Sequence, residues 1–194
     1  MKAVLASGNA GKVRELAALL AARGIEVIPQ TQFGIVTPPE TGTTFLDNAL
    51  LKARHAAAVS GLPAIADDSG IEVDALQGRP GVWSARYAGK EARDADNNAL
   101  LLQELAGVPE ERRGARYRCV LVYIRDAADP DPVIATGVWE GRVLTAARGT
   151  GGFGYDVLFQ PSGLALSAAE LPAAQKNAVS HRAQALRALL AALP

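Results

Sequence analysis

The residues Ser7-Gly8-Asn9-Ala10-Gly11-Lys12 stand between an apolar strand-like run, Lys2 to Ala6, and a stretch with helical spacing. A bend of this kind presents unpaired backbone N–H groups. Two glycines allow a ligand close to the backbone, Lys12 adds a mobile positive charge, and the helix start adds the positive end of its dipole. The combination suits a phosphate. A plain strand-to-helix turn capped by Ser7 or Asn9 explains the same residues. Neither the GxxxxGK-Ser/Thr loop nor the GxGxxG fingerprint is present.

Asp67-Asp68-Ser69-Gly70 closes an apolar run, where open α/β sheets commonly place a ligand crevice. Successive strand side chains point to opposite faces, so only one of the two aspartates faces that crevice. A carboxylate there suits a divalent metal beside phosphates, or a base that takes a proton from water. An Asx-type turn before Gly70 is the competing reading. Glu40 in a polar loop offers a second carboxylate, and Asn48 and Lys52 lie one helical turn apart, although a solvated face accounts for them equally. Arg79, Ser84 and Arg86 occupy a loop from which an arginine fork reaches phosphate.

Gly151-Gly152-Phe153-Gly154-Tyr155-Asp156 joins flexible backbone to two aromatic rings and a carboxylate, which suits stacking a base and reading its edge; a tight hairpin turn explains the same glycines. Lys176, Ser180, His181 and Arg182 cluster before the last helix. Ser180 reads as a cap, and the three cationic donors point to an acceptor-rich ligand. His55, inside an alanine-rich helix, reads as structural.

These groups need a scaffold. Val13, Leu16, Ala17 and Leu20 recur at helical spacing until Gly24, and Ile25 to Ile28 reads as a second strand. Thr44 is placed to cap a helix marked by Leu46, Ala49, Leu50, Ala53 and Ala57, which Gly61 ends. Pro63 to Asp67 and Ile71 to Leu76 read as two short strands around Asp68-Ser69-Gly70, followed by a breaker-rich loop from Gln77 to Gly81. Leu100, Leu101 and Leu105 mark a third helix, Tyr117 to Arg125 and Val133 to Trp139 a strand pair, and Val179, Ala183, Leu186, Leu190 and Leu193 one stripe of a final helix. Without strict βαβ alternation, this order predicts an α/β fold with a mixed central β-sheet and flanking helices.

At 194 residues the chain suits one domain, residues 1–194, with no separable linker. Its 20 basic and 20 acidic side chains balance, so no global field favours nucleic acid or an anionic membrane. The single cysteine, Cys119, excludes an internal disulfide and reads as a buried core thiol. The few apolar residues before Ser7 fall short of the roughly 7–15 of a signal-peptide core, which predicts a cytoplasmic protein.

Six blocks in order resemble the inosine triphosphate pyrophosphatase family: SGNAGKVREL from Ser7, ETGTTFLDNALLKA from Glu40, AIADDSG from Ala64, GRPGVWSARYAG from Gly78, GTGGFGYD from Gly149 and SHRAQAL from Ser180. The resemblance implies two lobes around a nucleotide cleft, a homodimer, and Mg²⁺-dependent hydrolysis of ITP, dITP and XTP to the monophosphate and pyrophosphate. It implies that Ser7, Gly8, Asn9, Ala10, Gly11 and Lys12 cradle the triphosphate and that Lys52 neutralises it. Asp68 would bind metal and act as general base, Glu40 would help hold Mg²⁺, and Ser69 would touch substrate. Phe153, Gly154, Tyr155 and Asp156 would form the base pocket with Lys176, His181 and Arg182. Asp47 stands where the family more often has glutamate, and Val157 where it usually has proline.

Other readings remain at this stage. A pyrophosphatase for a modified pyrimidine triphosphate would favour a substrate such as dUTP. A nucleotide-binding sensor would need no base. A phosphatase with Asp67 or Asp68 as nucleophile would form an aspartyl-phosphate and release orthophosphate.

Overall fold

A computed structural model describes residues 2–21 and 23–193. In chain order the elements are β1 (Lys2–Ala6), α1 (Ala10–Ala21), β2 (Glu26–Pro29), α2 (Phe45–Ser60), β3 (Ala64–Val73), α3 (Asp94–Glu104), β4 (Gly114–Ile124), β5 (Val133–Val143), β6 (Phe159–Pro161), α4 (Ala173–Val179) and α5 (His181–Ala192). Six strands form a sheet in the order β2-β1-β3-β4-β5-β6. β1 pairs in parallel with β2 and β3, whereas β6 runs antiparallel to β5, so the sheet is mixed as expected.

The chain forms two compact units. The first comprises the chain up to Asp68, Cys119–Gly137 and the chain from His181 onward; the second comprises Ser69–Arg118 and Val138–Ser180.

In the first unit both faces of the sheet are covered, and strand alternation sorts the side chains. Ala3 and Leu5 of β1, Ile65 of β3 and Cys119, Leu121 and Tyr123 of β4 pack with Leu16 and Leu20 of α1 and Ala185, Leu186 and Leu189 of α5. Val4, Ala6, Ala64, Ala66, Val122 and Ile124 point the other way and pack against Ala49, Ala53, Ala56 and Ala57 of α2. Extending that alternation along β3 sends Asp67 to the α1/α5 face and Asp68 to the α2 face. In β5, a Cβ at Gly137 would lie 2.0 Å from the His181 carbonyl oxygen and 2.6 Å from the Ala185 nitrogen, so the first turn of α5 rests directly on strand backbone.

α2 begins where the sequence indicates. The Thr44 hydroxyl oxygen accepts the Asp47 N–H at 3.1 Å and donates to the Asp47 carboxylate at 2.7 Å, a cap of about 1 kcal/mol. The shorter carboxylate at position 47 therefore serves the helix start. Gly61, at φ +68°, ends the helix by donating to the Ala57 carbonyl.

The second unit is built on Ile71, Val73, Leu101, Leu105, Tyr117, Trp139, Tyr155, Leu158 and Phe159. The Phe159 ring meets Tyr117 edge-on at 4.7 Å and Trp139 at 5.5 Å.

Two expectations need correction. The two short strands around Asp68-Ser69-Gly70 are one ten-residue strand, β3, followed by a 3₁₀ turn at Asp74–Leu76. Gly70 is there for close approach: a Cβ would sit 2.4 Å from the Gly81 carbonyl oxygen and 2.4 Å from Ser84 Oγ. The final helix is two helices, α4 and α5, because Ser180 adopts an extended conformation between them, and Val179 lies exposed on α4 rather than on the core stripe. In the loop that follows β3, Arg79 and Arg86 meet neighbouring side chains. Arg79 pairs with Glu104 at 3.1 Å, Arg86 stacks over the exposed Trp83 ring at 4.5 Å, and the Tyr87 hydroxyl, its pKa pushed up to about 12 by burial and by Glu104, donates to Glu104.

Candidate active site

In the first unit, the end of β1 delivers Ser7 to the start of α1. Ser7 Oγ accepts the Asn9 N–H at 3.2 Å, and Asn9 Oδ1 accepts the Lys12 N–H at 3.0 Å. Asn9 thus caps the helix, while Ala10 and Gly11, in its first turn, have no intrahelical carbonyl to donate to. The backbone is closely approached at Gly8, where a Cβ would lie 2.9 Å from Thr37 Oγ1.

Asp67 is fully buried on the α1/α5 face and collects positive charge from two helices. Lys12 Nζ lies 2.5 Å from Oδ1, Arg182 Nε 3.0 Å from Oδ2, and Cys119 Sγ donates to Oδ2 at 3.2 Å. Arg182, itself buried, also pairs with Glu15. Burial alone would raise the Asp67 pKa, but Lys12 and Arg182 outweigh it and hold the carboxyl well below the usual range. Burial, then the neighbouring Asp67 charge, pushes the Cys119 thiol well up.

Asp68 meets α2. Lys52 Nζ donates to its Oδ1 at 2.8 Å and Asn48 Nδ2 to its Oδ2 at 3.3 Å. The same ammonium reaches Glu40 Oε1 at 3.1 Å. The Glu40 loop is tied down because Asn48 Oδ1 accepts the Gly42 N–H at 2.9 Å. Asn48 and Lys52 thus belong to the buried face of α2, not to a solvated one, because each has a polar partner waiting inside. Burial raises the Asp68 pKa above the ordinary aspartate value against the pull of Lys52 and Lys12, with Glu40 adding to the rise. Lys52 is disfavoured by burial, yet Asp68 and Glu40 prevail and raise it, keeping it charged. Asp68 and Glu40 are close enough to share one cation, which here is the Lys52 ammonium. Among the described residues no cluster of three or more His, Cys, Asp or Glu side chains forms a ready metal cage.

The second unit holds the aromatic, glycine-rich segment. Asp156 Oδ2 accepts the Phe153 N–H at 2.9 Å and the Lys176 ammonium at 2.5 Å, and Lys176 Nζ also lies 4.9 Å from the Phe153 ring centroid. A Cβ at Gly152 would fall 2.1 Å from the Asp156 carboxylate, so that glycine is the one residue type that fits. The Tyr155 hydroxyl donates to the Ser84 carbonyl at 2.8 Å, and Ser84 Oγ accepts the Ile71 N–H at 2.9 Å, which ties the segment to β3 just beyond Ser69.

The structure thus brings together Lys12 with Arg182, Lys52 with Asp68 and Glu40, and Lys176 with Phe153 and Asp156. Buried His181 and Arg182 open α5 in the first unit, where Arg182 pairs with Asp67 and Glu15. Sequence reasoning missed Glu15, Asp94 and Asn98. Glu15 lies three residues after Lys12 on the same helix face, and Asp94 and Asn98 lie one turn apart, spacings that were available as signals.

The family model described as the Ham1 family matches residues 3–192. A dITP/XTP pyrophosphatase of Thioalkalivibrio sulfidiphilus (strain HL-EbGR7) is 60% identical over 190 residues, 98% of this chain and 97% of that protein. The dITP/XTP pyrophosphatase of Escherichia coli O157:H7 is 55% identical over 192 residues, 99% and 98% of the two chains. The solved structure of a HAM1 protein from Coxiella burnetii superposes with a TM-score of 0.89 at 46% identity, covering 97% of this chain and 96% of that one.

Proposed function

This chain belongs to the Ham1 family, and from that premise we propose that it hydrolyses dITP, ITP and XTP to the nucleoside monophosphate and pyrophosphate, clearing altered purines from the nucleotide pool. The observation that carries the chemistry is the pair of adjacent aspartates on β3, one locked in charge by Lys12 and Arg182 and the other raised in pKa beside Lys52. A general base works best with a pKa lifted toward working pH, and Asp68 is the carboxylate so placed.

In this reading Ser7, Gly8, Asn9, Ala10, Gly11 and Lys12 cradle the triphosphate, and Ser69 touches substrate. Asp68 takes a proton from water as its oxygen bonds to the α-phosphorus and the α–β bridging bond breaks. Lys52 offsets the charge that leaves with pyrophosphate. Asp68 and Glu40, both within hydrogen-bond reach of one ammonium, are the residues that would hold Mg²⁺. A Mg²⁺ held there would supply neutralisation of the phosphate charge.

The base is assigned to Phe153, Gly154, Tyr155 and Asp156 with Lys176, His181 and Arg182. Phe153 stacks, Asp156 accepts from N1–H, and Lys176, His181 or Arg182 donates to O6. Adenine inverts both edge groups, a mismatch that rejects by about 10⁴-fold in a buried site. Arg182 also pairs with Asp67 and Glu15. The proposal extends to a cytoplasmic homodimer of single-domain chains, which light scattering after gel filtration tests; no helix among the described residues is long and apolar enough to cross a membrane.

The decisive assay incubates ITP, XTP, dUTP and the four standard dNTPs with enzyme and Mg²⁺ in ¹⁸O-water and separates products by ion exchange. The expected result is monophosphate carrying the label, plus pyrophosphate, from ITP and XTP. Faster turnover of dUTP would overturn the purine assignment, and orthophosphate would overturn the bond assignment.

A further inference from the structure

Gly154 sits at φ +62°, and the groups on either side of its two soft dihedrals are both held by α3. Its N–H donates to Asp94 Oδ2 at 2.6 Å, and its carbonyl accepts from Asn98 Nδ2 at 2.9 Å. Asp94 and Asn98 lie one helical turn apart, and Asn98 Nδ2 also donates to the Asp94 carbonyl at 2.7 Å, which fixes its amide against the helix. The α3 start favours a carboxylate at Asp94 through the helix dipole. A glycine between Phe153 and Asp156 would otherwise be the loosest link in the segment. With both flanking peptide groups held, neither φ nor ψ of Gly154 can turn without breaking a hydrogen bond.

We infer that Asp94 and Asn98 are positioning residues for base selectivity, acting through Gly154 to fix Phe153 and the Asp156 carboxylate against the purine. The inference rests on the assignment of Phe153–Asp156 to the base. The clamp touches neither Asp68 nor Lys52, so its loss acts on recognition of the base and not on bond cleavage. A segment free to turn at Gly154 no longer penalises a mismatched edge, because the polar groups it would leave unpaired can move to find other partners.

The test compares kcat and KM for XTP, dITP and dGTP in Asn98→Asp, which keeps the side-chain shape and removes the donor, and in Asp94→Ala. Expected for each is a KM for XTP and dITP raised roughly tenfold, the size of one hydrogen bond to or from a fixed partner, with kcat within about twofold and the preference over dGTP reduced. Asp94→Asn, which retains an acceptor for the Gly154 N–H, should recover most of the lost KM. A thermal melt on each variant separates this from general loosening, since destabilisation alone lowers Tm without changing the ratio of kcat/KM between XTP and dGTP. An unchanged ratio in Asn98→Asp and Asp94→Ala overturns the clamp. Lys176→Met and Asp156→Asn serve as the control on the underlying assignment: if they too leave base preference unchanged, it is the base pocket that is wrong, and the clamp falls with it.

Discussion

The two faces of β3 differ although the residues that define them are neighbours. On the α1/α5 face, Asp67 is closed in by Lys12, Arg182 and Cys119, and its charge is over-determined. On the α2 face, Asp68 is nearly as buried but shares its principal cation, Lys52, with Glu40, and burial prevails. Similar burial thus gives opposite pKa shifts, decided by how many cations each carboxylate commands and whether it must share them. When neighbouring carboxyls are driven apart in pKa, the raised one is fitted to proton transfer and the lowered one to holding charge.

The sharpest way to break this contrast is Asp68→Asn, which removes the base while keeping the shape. The expected outcome is a kcat for dITP reduced by about 10²–10⁴-fold with dITP still bound, read by steady-state kinetics and calorimetry. Full turnover would strip the α2 face of its proposed role. Asp67→Asn should instead be felt in folding. It removes a buried carboxylate from the buried Arg182 and from Lys12, at a cost of about 3–5 kcal/mol in urea unfolding at neutral pH. Because the folded-state pKa of Asp67 is depressed, its contribution is present above the unfolded value near 3.8 and is lost as pH falls through the folded one. The gap between wild type and Asp67→Asn should therefore hold steady from pH 7 to about pH 4 and narrow below that. The smallest effect belongs to Cys119→Ala, which removes a weak sulfur donor to Asp67 and should cost about 1 kcal/mol. With the thiol pKa pushed well up by burial, native wild type should resist iodoacetamide at pH 8 until urea unfolds it. Rapid alkylation of the folded protein would mean that this face is not sealed.

Much of this contrast was legible in the sequence. Period-two alternation alone separates Asp67 from Asp68, and the strand-to-helix bend at Ser7–Lys12 is where the residues placed it. The continuity of β3 was hidden because Gly70 imitates a turn, when its missing side chain instead admits the Gly81 carbonyl and Ser84. The break at Ser180 has no glycine or proline to announce it, and β6 is too short to show periodicity. The pairing of Arg182 with Asp67 joins residues from distant parts of the chain, a contact that no local pattern encodes. Asp94 escaped for a related reason: its partner is a backbone amide, and backbone leaves no compositional trace.

At Gly137 a single hydrogen stands where any other residue would carry a carbon, and the opening turn of α5 occupies the vacated space. Adding one methyl group would lever that turn outward and draw the guanidinium of residue 182 away from its carboxylate. An inert site on β5 thereby governs the ionic balance of a strand two places across the sheet, so a mutational search confined to polar side chains would overlook one of the positions to which the chemistry is most vulnerable.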